Sequence, residues 1–153
     1  MNLQKISISK VAPSEIPMEL LLLADPSEKM IKKYLFDSQA LAAKVDERVI
    51  GAIVIKERGR NAEIMNVAVQ ENLQSQGIGS RLIRKAIAYA QEKGMQTLTI
   101  GTADTSKEQL RLYQSLGFQI ARASKNYFLE HYDEPIYENG SQAKDRIILE
   151  MHW

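Results

Sequence analysis

Val67-Ala68-Val69-Gln70-Glu71-Asn72-Leu73-Gln74-Ser75-Gln76-Gly77-Ile78-Gly79-Ser80-Arg81-Leu82 joins two different periodicities. Ala62 to Val69 is a mostly apolar run, which reads as a strand central in its sheet. Beyond the glycines, Leu82, Ile83, Ala86, Ile87 and Ala90 recur at helical spacing until Lys93-Gly94 closes the helix with a basic last turn and a glycine cap. The connection is polar and carries a Gln-x-x-Gly-x-Gly element, Gln74 to Gly79. A helix's first turn has unpaired N–H groups and a partial positive charge. Glycines let a phosphate come close to that backbone. The stretch from Gln74 to Ser80 is therefore built to cradle a pyrophosphate. By itself a Gly-x-Gly is also an ordinary turn before a helix.

Other phosphate motifs fit less well. A Walker loop needs Gly-Lys-Ser/Thr, whereas Gly79 is followed by Ser80-Arg81. A dinucleotide fingerprint needs a third glycine where Leu82 stands.

Reading outward, Gln4 to Ser9 alternates as a first strand, and Pro13-Ser14-Glu15 opens a helix whose apolar face is Leu20 to Leu23. Asp25-Pro26 breaks it, and Ser27 caps a second helix with Met30, Ile31, Tyr34 and Leu35 on one face. Ala40 to Val45 and Arg48 to Lys56 form a hairpin about Asp46-Glu47. Thr97 to Ile100 is a short strand. Ser106, with Gln109 in the capping-box position, starts a helix bearing Leu110, Leu112, Tyr113 and Leu116 and closed by Gly117. Phe118 to Ile120 begins a strand that Asn126 to Tyr132 continues. Asp133 to Gln142 reads as an irregular loop, and Arg146 to Met151 as a final strand. The order β-α-α-β-β-β-α-β-α-β-β predicts one mixed sheet with helices on both faces.

The 153 residues suit one domain, with 44% hydrophobic and 25% charged side chains. A net charge of +1 gives no global field for nucleic acid or an anionic membrane, so neither is an expected partner. The chain has no cysteine, which removes disulfides, thiolate metal sites and cysteine nucleophiles and agrees with a cytoplasmic location. The N-terminus shows no secretory pattern, and no apolar run is long enough for a membrane span. His131 and His152 lack ligand-spaced companions, so no metal is expected.

The Gln74–Gly79 element resembles the acetyl-coenzyme A signature of the GNAT superfamily of N-acetyltransferases. A second block, Leu110-Arg111-Leu112-Tyr113-Gln114-Ser115-Leu116-Gly117-Phe118, is similar to that family's Leu-Tyr-x-x-x-Gly-Phe element, at the family's usual separation. The resemblance covers Val49 to Ile120 best. It implies one GNAT domain over 1–153: an α/β fold with a mixed, mostly antiparallel twisted sheet of about 6–7 strands and about 4 helices. It also implies acetyl-coenzyme A as acetyl donor.

In that family the strand before the signature splays from its neighbour, and its backbone pairs with the pantetheine arm. Here this implicates Val67, Ala68 and Val69, with the Val67 N–H polarising the thioester carbonyl. The cofactor-binding set it implies is Val67, Ala68, Val69, Gln74, Ser75, Gln76, Gly77, Ile78, Gly79, Ser80, Ser106 and Tyr113. Tyr113 matches the tyrosine that protonates the departing thiolate; a core aromatic on an amphipathic helix is the other reading, and Gly117-Phe118 at family spacing favours the first. Glu63 matches a base glutamate of histone-acetylating members, and strand alternation puts it on the same face as Met65 and Val67. It is otherwise a solvated strand residue. Ser106 and Gln109 replace an Asn and an Ala common in the family.

Asn126 to Gly140 mixes four carboxylates with four aromatics, and family members often place this segment beside the acceptor. It resembles aromatic, acidic tails in bacterial members with unassigned acceptors. Acidic and aromatic groups suit a cationic amine, although a solvated loop with buried aromatic anchors explains the same residues slightly better. The expectation is direct acetyl transfer, in a ternary complex, to a primary amine, with a small cationic one favoured over a protein N-terminus. A non-catalytic acyl-coenzyme A sensor or partner-binding module is the alternative. A homodimer is within the family's habit.

Overall fold

The computed structural model describes residues 5–153. Gln4, where the first strand was expected to begin, lies outside them. β1 spans Ser7–Val11, α1 Met18–Leu21, α2 Glu28–Tyr34, β2 Gln39–Val45, β3 Arg48–Arg58, β4 Asn61–Val69 and α3 Ile78–Glu92. β5 (Thr97–Ala103), α4 (Lys107–Ser115), β6 (Gln119–Ser124), α5 (Tyr127–His131), β7 (Tyr137–Glu138), β8 (Ser141–Gln142) and β9 (Arg146–His152) follow. Seven strands form one sheet in the order β1-β2-β3-β4-β5-β9-β6. β4 takes the middle place, and its pairing with β5 is the one parallel contact in that sheet.

The turns follow from local chemistry. Asp46 and Glu47 both take positive φ, so the β2–β3 hairpin closes on two residues without glycine. The Ser27 hydroxyl accepts the Met30 N–H at 3.2 Å and starts α2. Gly94 supplies the left-handed conformation that ends α3.

Helices cover both faces. Leu82, Ile83, Ala86 and Ala90 of α3 and Tyr113 of α4 pack with Ile53, Ile55, Ile64, Leu98 and Leu149 on one face. Ile31, Tyr34 and Leu35 from α2 and its end, with Leu20 and Leu21 of α1, pack with Ala52, Val54 and Ala68 on the other. Leu82 is fully buried, a position whose apolar transfer contributes about 1.5–3 kcal/mol. Among the described residues, no helix is long and apolar enough to cross a membrane.

Three expectations are corrected. Asn126 to Tyr132 does not extend β6. Asn126 turns left-handed (φ 57°) and α5 begins, with the Asp145 carboxylate holding the Asn126 N–H at 3.0 Å. Helical spacing then stacks Tyr127 on His131 and Phe128 on Tyr132, with ring centroids 4.5 and 5.6 Å apart. Asp133 to Gln142 contains the short hairpin β7–β8, turned by Asn139-Gly140, both at positive φ. Ser106 does not cap α4 with its side chain. Its hydroxyl donates instead to Glu138 Oε1 at 2.5 Å.

Candidate active site

β4 and β5 pair from Asn61–Thr97 to Ile64–Ile100 and then part. Met65 to Val69 and Gly101 to Ala103 wall the resulting notch, which belongs to a cleft of about 1030 Å³. The tip of α3 stands at one end. Asp25, Tyr34, Tyr127 and Tyr132 line the cleft beside the α1–α2 face.

Parity along β4 decides which backbone groups face the notch. The Gln70 N–H donates to the Ile50 carbonyl at 2.8 Å, and the register Gly51–Val69, Ala52–Ala68, Ile53–Val67 continues from there. Antiparallel strands alternate between bonded and non-bonded pairs. Ala68 therefore turns its backbone to β3, while Val67 and Val69 direct theirs toward the notch. This corrects the expectation that all three residues offer backbone groups. The Val69 carbonyl is met by Gln74 Nε2 at 3.0 Å.

A bulge corrects a second expectation. Val54 pairs with Asn66 but Ile55 with Ile64, leaving Met65 as an extra residue. Alternation flips there. Ala62, Ile64, Val67 and Val69 pack on the α3 side, while Met65 packs on the α1–α2 side and Glu63, between Ala62 and Ile64, shares that side. Glu63 and Val67 thus sit on opposite faces.

The tip of α3 is open and uncapped by any side chain. Its N-cap is Gly77 at φ 83° with no side-chain cap, and the first intrahelical bond runs from Arg81 N–H to the Gly77 carbonyl. The N–H groups of Ile78, Gly79 and Ser80 are left without helical partners. A Cβ on Gly77 would meet nothing within 4 Å, and one on Gly79 only Val69 Cγ2 at 3.9 Å, so the approach is open. Gln74, Ser75, Gly77, Ile78, Gly79 and Ser80 line the cleft; Gln76 does not.

Tyr113 lines the same cleft, 9% exposed, with its ring edge toward Phe118 at 6.4 Å. Burial pushes its hydroxyl up to about 12. Glu63 lies farther along the cleft. Arg58 Nη1 donates to its Oε1, and Arg146 Nη2 donates to its Oε2 at 2.9 Å. Both carboxylate oxygens are engaged. Arg146 also lies over the Tyr127 ring at 5.4 Å.

Sequence reasoning missed a buried polar chain. Asn66 Nδ2 donates to the Leu21 carbonyl at 3.1 Å and to the Tyr34 hydroxyl at 3.2 Å. Tyr34 donates to Asp25 Oδ2 at 3.1 Å, and Tyr132 donates to Asp25 Oδ1 at 3.0 Å across 107 residues of chain. Burial, with Asp25 nearby, holds both tyrosine hydroxyls well above the ordinary tyrosine value. A carbonyl only accepts, so Leu21 fixes the Asn66 amide orientation and leaves Asn66 Oδ1 buried without a partner. The sequence pattern marks Asp25 only as a helix breaker. Arg146 had one available signal, Gly101 within a strand, which marks close approach by another group. Among the described residues, no group of three or more His, Asp or Glu side chains is arranged to hold a metal.

The profile of the Acetyltransferase (GNAT) family matches residues 13–118. The chain belongs to that family. It is an N-acetyltransferase of the acyl-transferring class, and its sheet is the GNAT fold. This acetyltransferase is 40% identical to the N-acetyltransferase YvbK of Bacillus subtilis over 151 residues, 97% of each chain. A GNAT family acetyltransferase from Elizabethkingia anophelis with acetyl-CoA bound is 42% identical (TM-score 0.93), over 97% of this chain and 99% of that one. An IAA acetyltransferase from Bacillus cereus is 44% identical (TM-score 0.92), with the same coverage.

Proposed function

We propose that residues 1–153 act as one catalytic domain that moves the acetyl group of acetyl-coenzyme A directly onto a small primary amine. The reading rests above all on the notch between β4 and β5, where the Val67 backbone faces the cleft that Tyr113 and the α3 tip also line. When bound, acetyl-coenzyme A supplies an activated thioester. The N–H groups of Ile78, Gly79 and Ser80 hold its diphosphate, and Val67 and Val69 align its arm as an added strand would. The Val67 N–H, fixed by the sheet, stabilises negative charge developing on the thioester oxygen. Acetyl-coenzyme A bound to the Elizabethkingia relative supports the donor.

Tyr113 acts on the departing sulfur. A hydroxyl raised to about 12 remains protonated at working pH. Complete transfer to an ordinary thiolate near 8.5 would be uphill by about 5 kcal/mol. The hydroxyl therefore stabilises the leaving sulfur by hydrogen-bond donation, and the net proton comes from the amine. An amine with a free pKa near ~10 must shed a proton before attack. Glu63, the residue matched to a base, has both oxygens engaged by guanidinium groups, so a chain of water through the cleft relays that proton to bulk solvent. Ser106, which stands where the family commonly has asparagine, lines the cleft with its hydroxyl donating to Glu138.

The test is release of free coenzyme A thiol from acetyl-coenzyme A over a panel of primary amines and peptides, with products identified by mass. Thiol release with N-acetylated small amines is expected. Coenzyme binding without release on any acceptor would instead make the chain an acyl-coenzyme A sensor.

A further inference from the structure

We propose that the acceptor carries a carboxylate beside its amine, and that Lys33 and Lys56 receive that carboxylate on the α1–α2 face. The proposal rests on the acetyl-transfer reading above and narrows its acceptor class.

The cleft's charges carry the inference. Lys33, Lys56, Arg58 and Arg146 line it together with four acids, Asp25, Glu63, Glu108 and Glu138. Arg58 and Arg146 are both engaged with Glu63. Asp25 accepts from Tyr34, Tyr132 and the Ser27 N–H. On the α1–α2 face neither Asp25 nor Glu63 is left free for an ammonium group. Glu138 is held by Ser106, and Glu108, which joins no ion pair among the described residues, stands on α4, whose Tyr113 packs on the other face. Lys33 and Lys56, by contrast, join no ion pair among the described residues. Lys56 stands opposite Glu63 in the β3–β4 register, so both side chains rise from the same face. Lys33 immediately precedes Tyr34, whose hydroxyl reaches Asp25.

The acidic segment that pointed to a cationic acceptor does not deliver its charge here. Of its four carboxylates only Glu138 lines the cleft, and it is hydrogen bonded to Ser106. What the segment does contribute is aromatic wall, including Tyr127 and Tyr132. A polyamine would meet two unpaired ammonium groups. An amino acid would answer them with its carboxylate and lay its apolar part against the rings.

The experiment uses matched pairs that differ by the carboxylate: phenylalanine against phenethylamine, and lysine against cadaverine. Thiol release should favour the carboxylated member by at least tenfold in kcat/KM. The double variant Lys33→Met/Lys56→Met should erase that preference while leaving phenethylamine turnover within about twofold. Lys33→Arg/Lys56→Arg should keep the preference. Calorimetry on coenzyme A-loaded protein reads acceptor binding apart from chemistry. Binding preference for amino acids without thiol release would uphold the carboxylate site and sink the acetyl-transfer reading. Turnover with no preference, or a preference untouched by the methionine variants, would overturn the carboxylate site. A preference for O-phosphoethanolamine over β-alanine would overturn the choice of carboxylate over phosphate.

Discussion

The Arg146 guanidinium occupies the place where a side chain on Gly101 would begin: a Cβ there would run into Arg146 Cζ, Nε and Nη2. Arg146 starts opposite Ala103 and reaches back across β5 to Glu63 because position 101 is bare. Gly101→Ala should push the guanidinium away and break its bond to Glu63 at a cost of about 1–3 kcal/mol. Its effect should be non-additive with Arg146→Ala, since both remove the same interaction. Urea unfolding of the two single variants and the double variant checks this; simple additivity would contradict it.

Tyr113→Phe removes the one hydroxyl assigned to the departing sulfur and leaves a ring of nearly the same shape. kcat should fall about a hundredfold, while the dissociation constant for acetyl-coenzyme A changes less than about threefold. Single-turnover kinetics and calorimetry separate the two. Lost binding with unchanged chemistry would remove Tyr113 from its role.

Parity along β4 makes a residue-by-residue forecast. In the free protein the amides of Val67 and Val69 should exchange with solvent faster than those of Asn66 and Ala68, which face β3. Acetyl-coenzyme A should slow exchange at Val67 and Val69 selectively. Amide exchange followed by NMR reads all four. Equal protection before ligand is added would mean that the notch is not open.

Glu63→Gln keeps the shape and removes the charge between Arg58 and Arg146. The loss should be mainly of stability, about 1–3 kcal/mol, with kcat reduced less than tenfold. A fall of a thousandfold in kcat at unchanged stability would restore Glu63 as the base.

Five tyrosines, Tyr34, Tyr89, Tyr113, Tyr127 and Tyr132, have hydroxyls raised by burial. Above pH ~10 the unfolded chain releases these protons while the folded one keeps them, so stability falls as pH rises. Below the ordinary tyrosine value this contribution is constant. Thermal melts from pH 8 to 11.5 should show the decline beginning near 10, and Tyr132→Phe should make it shallower.

The parts of this molecule that were legible in its sequence are those fixed by local chemistry. Glycines at 77 and 79 after an apolar strand announced the α3 tip, and Leu82 to Ala90 announced the face it buries. The Leu110 to Phe118 block placed Tyr113 on a helix with Gly117 behind it. What escaped depends on partners distant in the chain. The Met65 bulge is a mismatch between two strands, so neither strand's pattern contains it. Asp25 acquires its role from Tyr132, and Arg146 from Gly101 and Glu63. α5 escaped because five residues are too few for a helical period to stand out against a strand.

The seam between the two wings of the sheet has one further consequence. Strand pairing joins β1–β4 to β5, β9 and β6 through four residue pairs, Asn61–Thr97 to Ile64–Ile100. Whatever arm lies farther along that seam also laces the wings together. On the proposed donor site the coenzyme would then be a temporary structural member, bracing the two wings while it is bound.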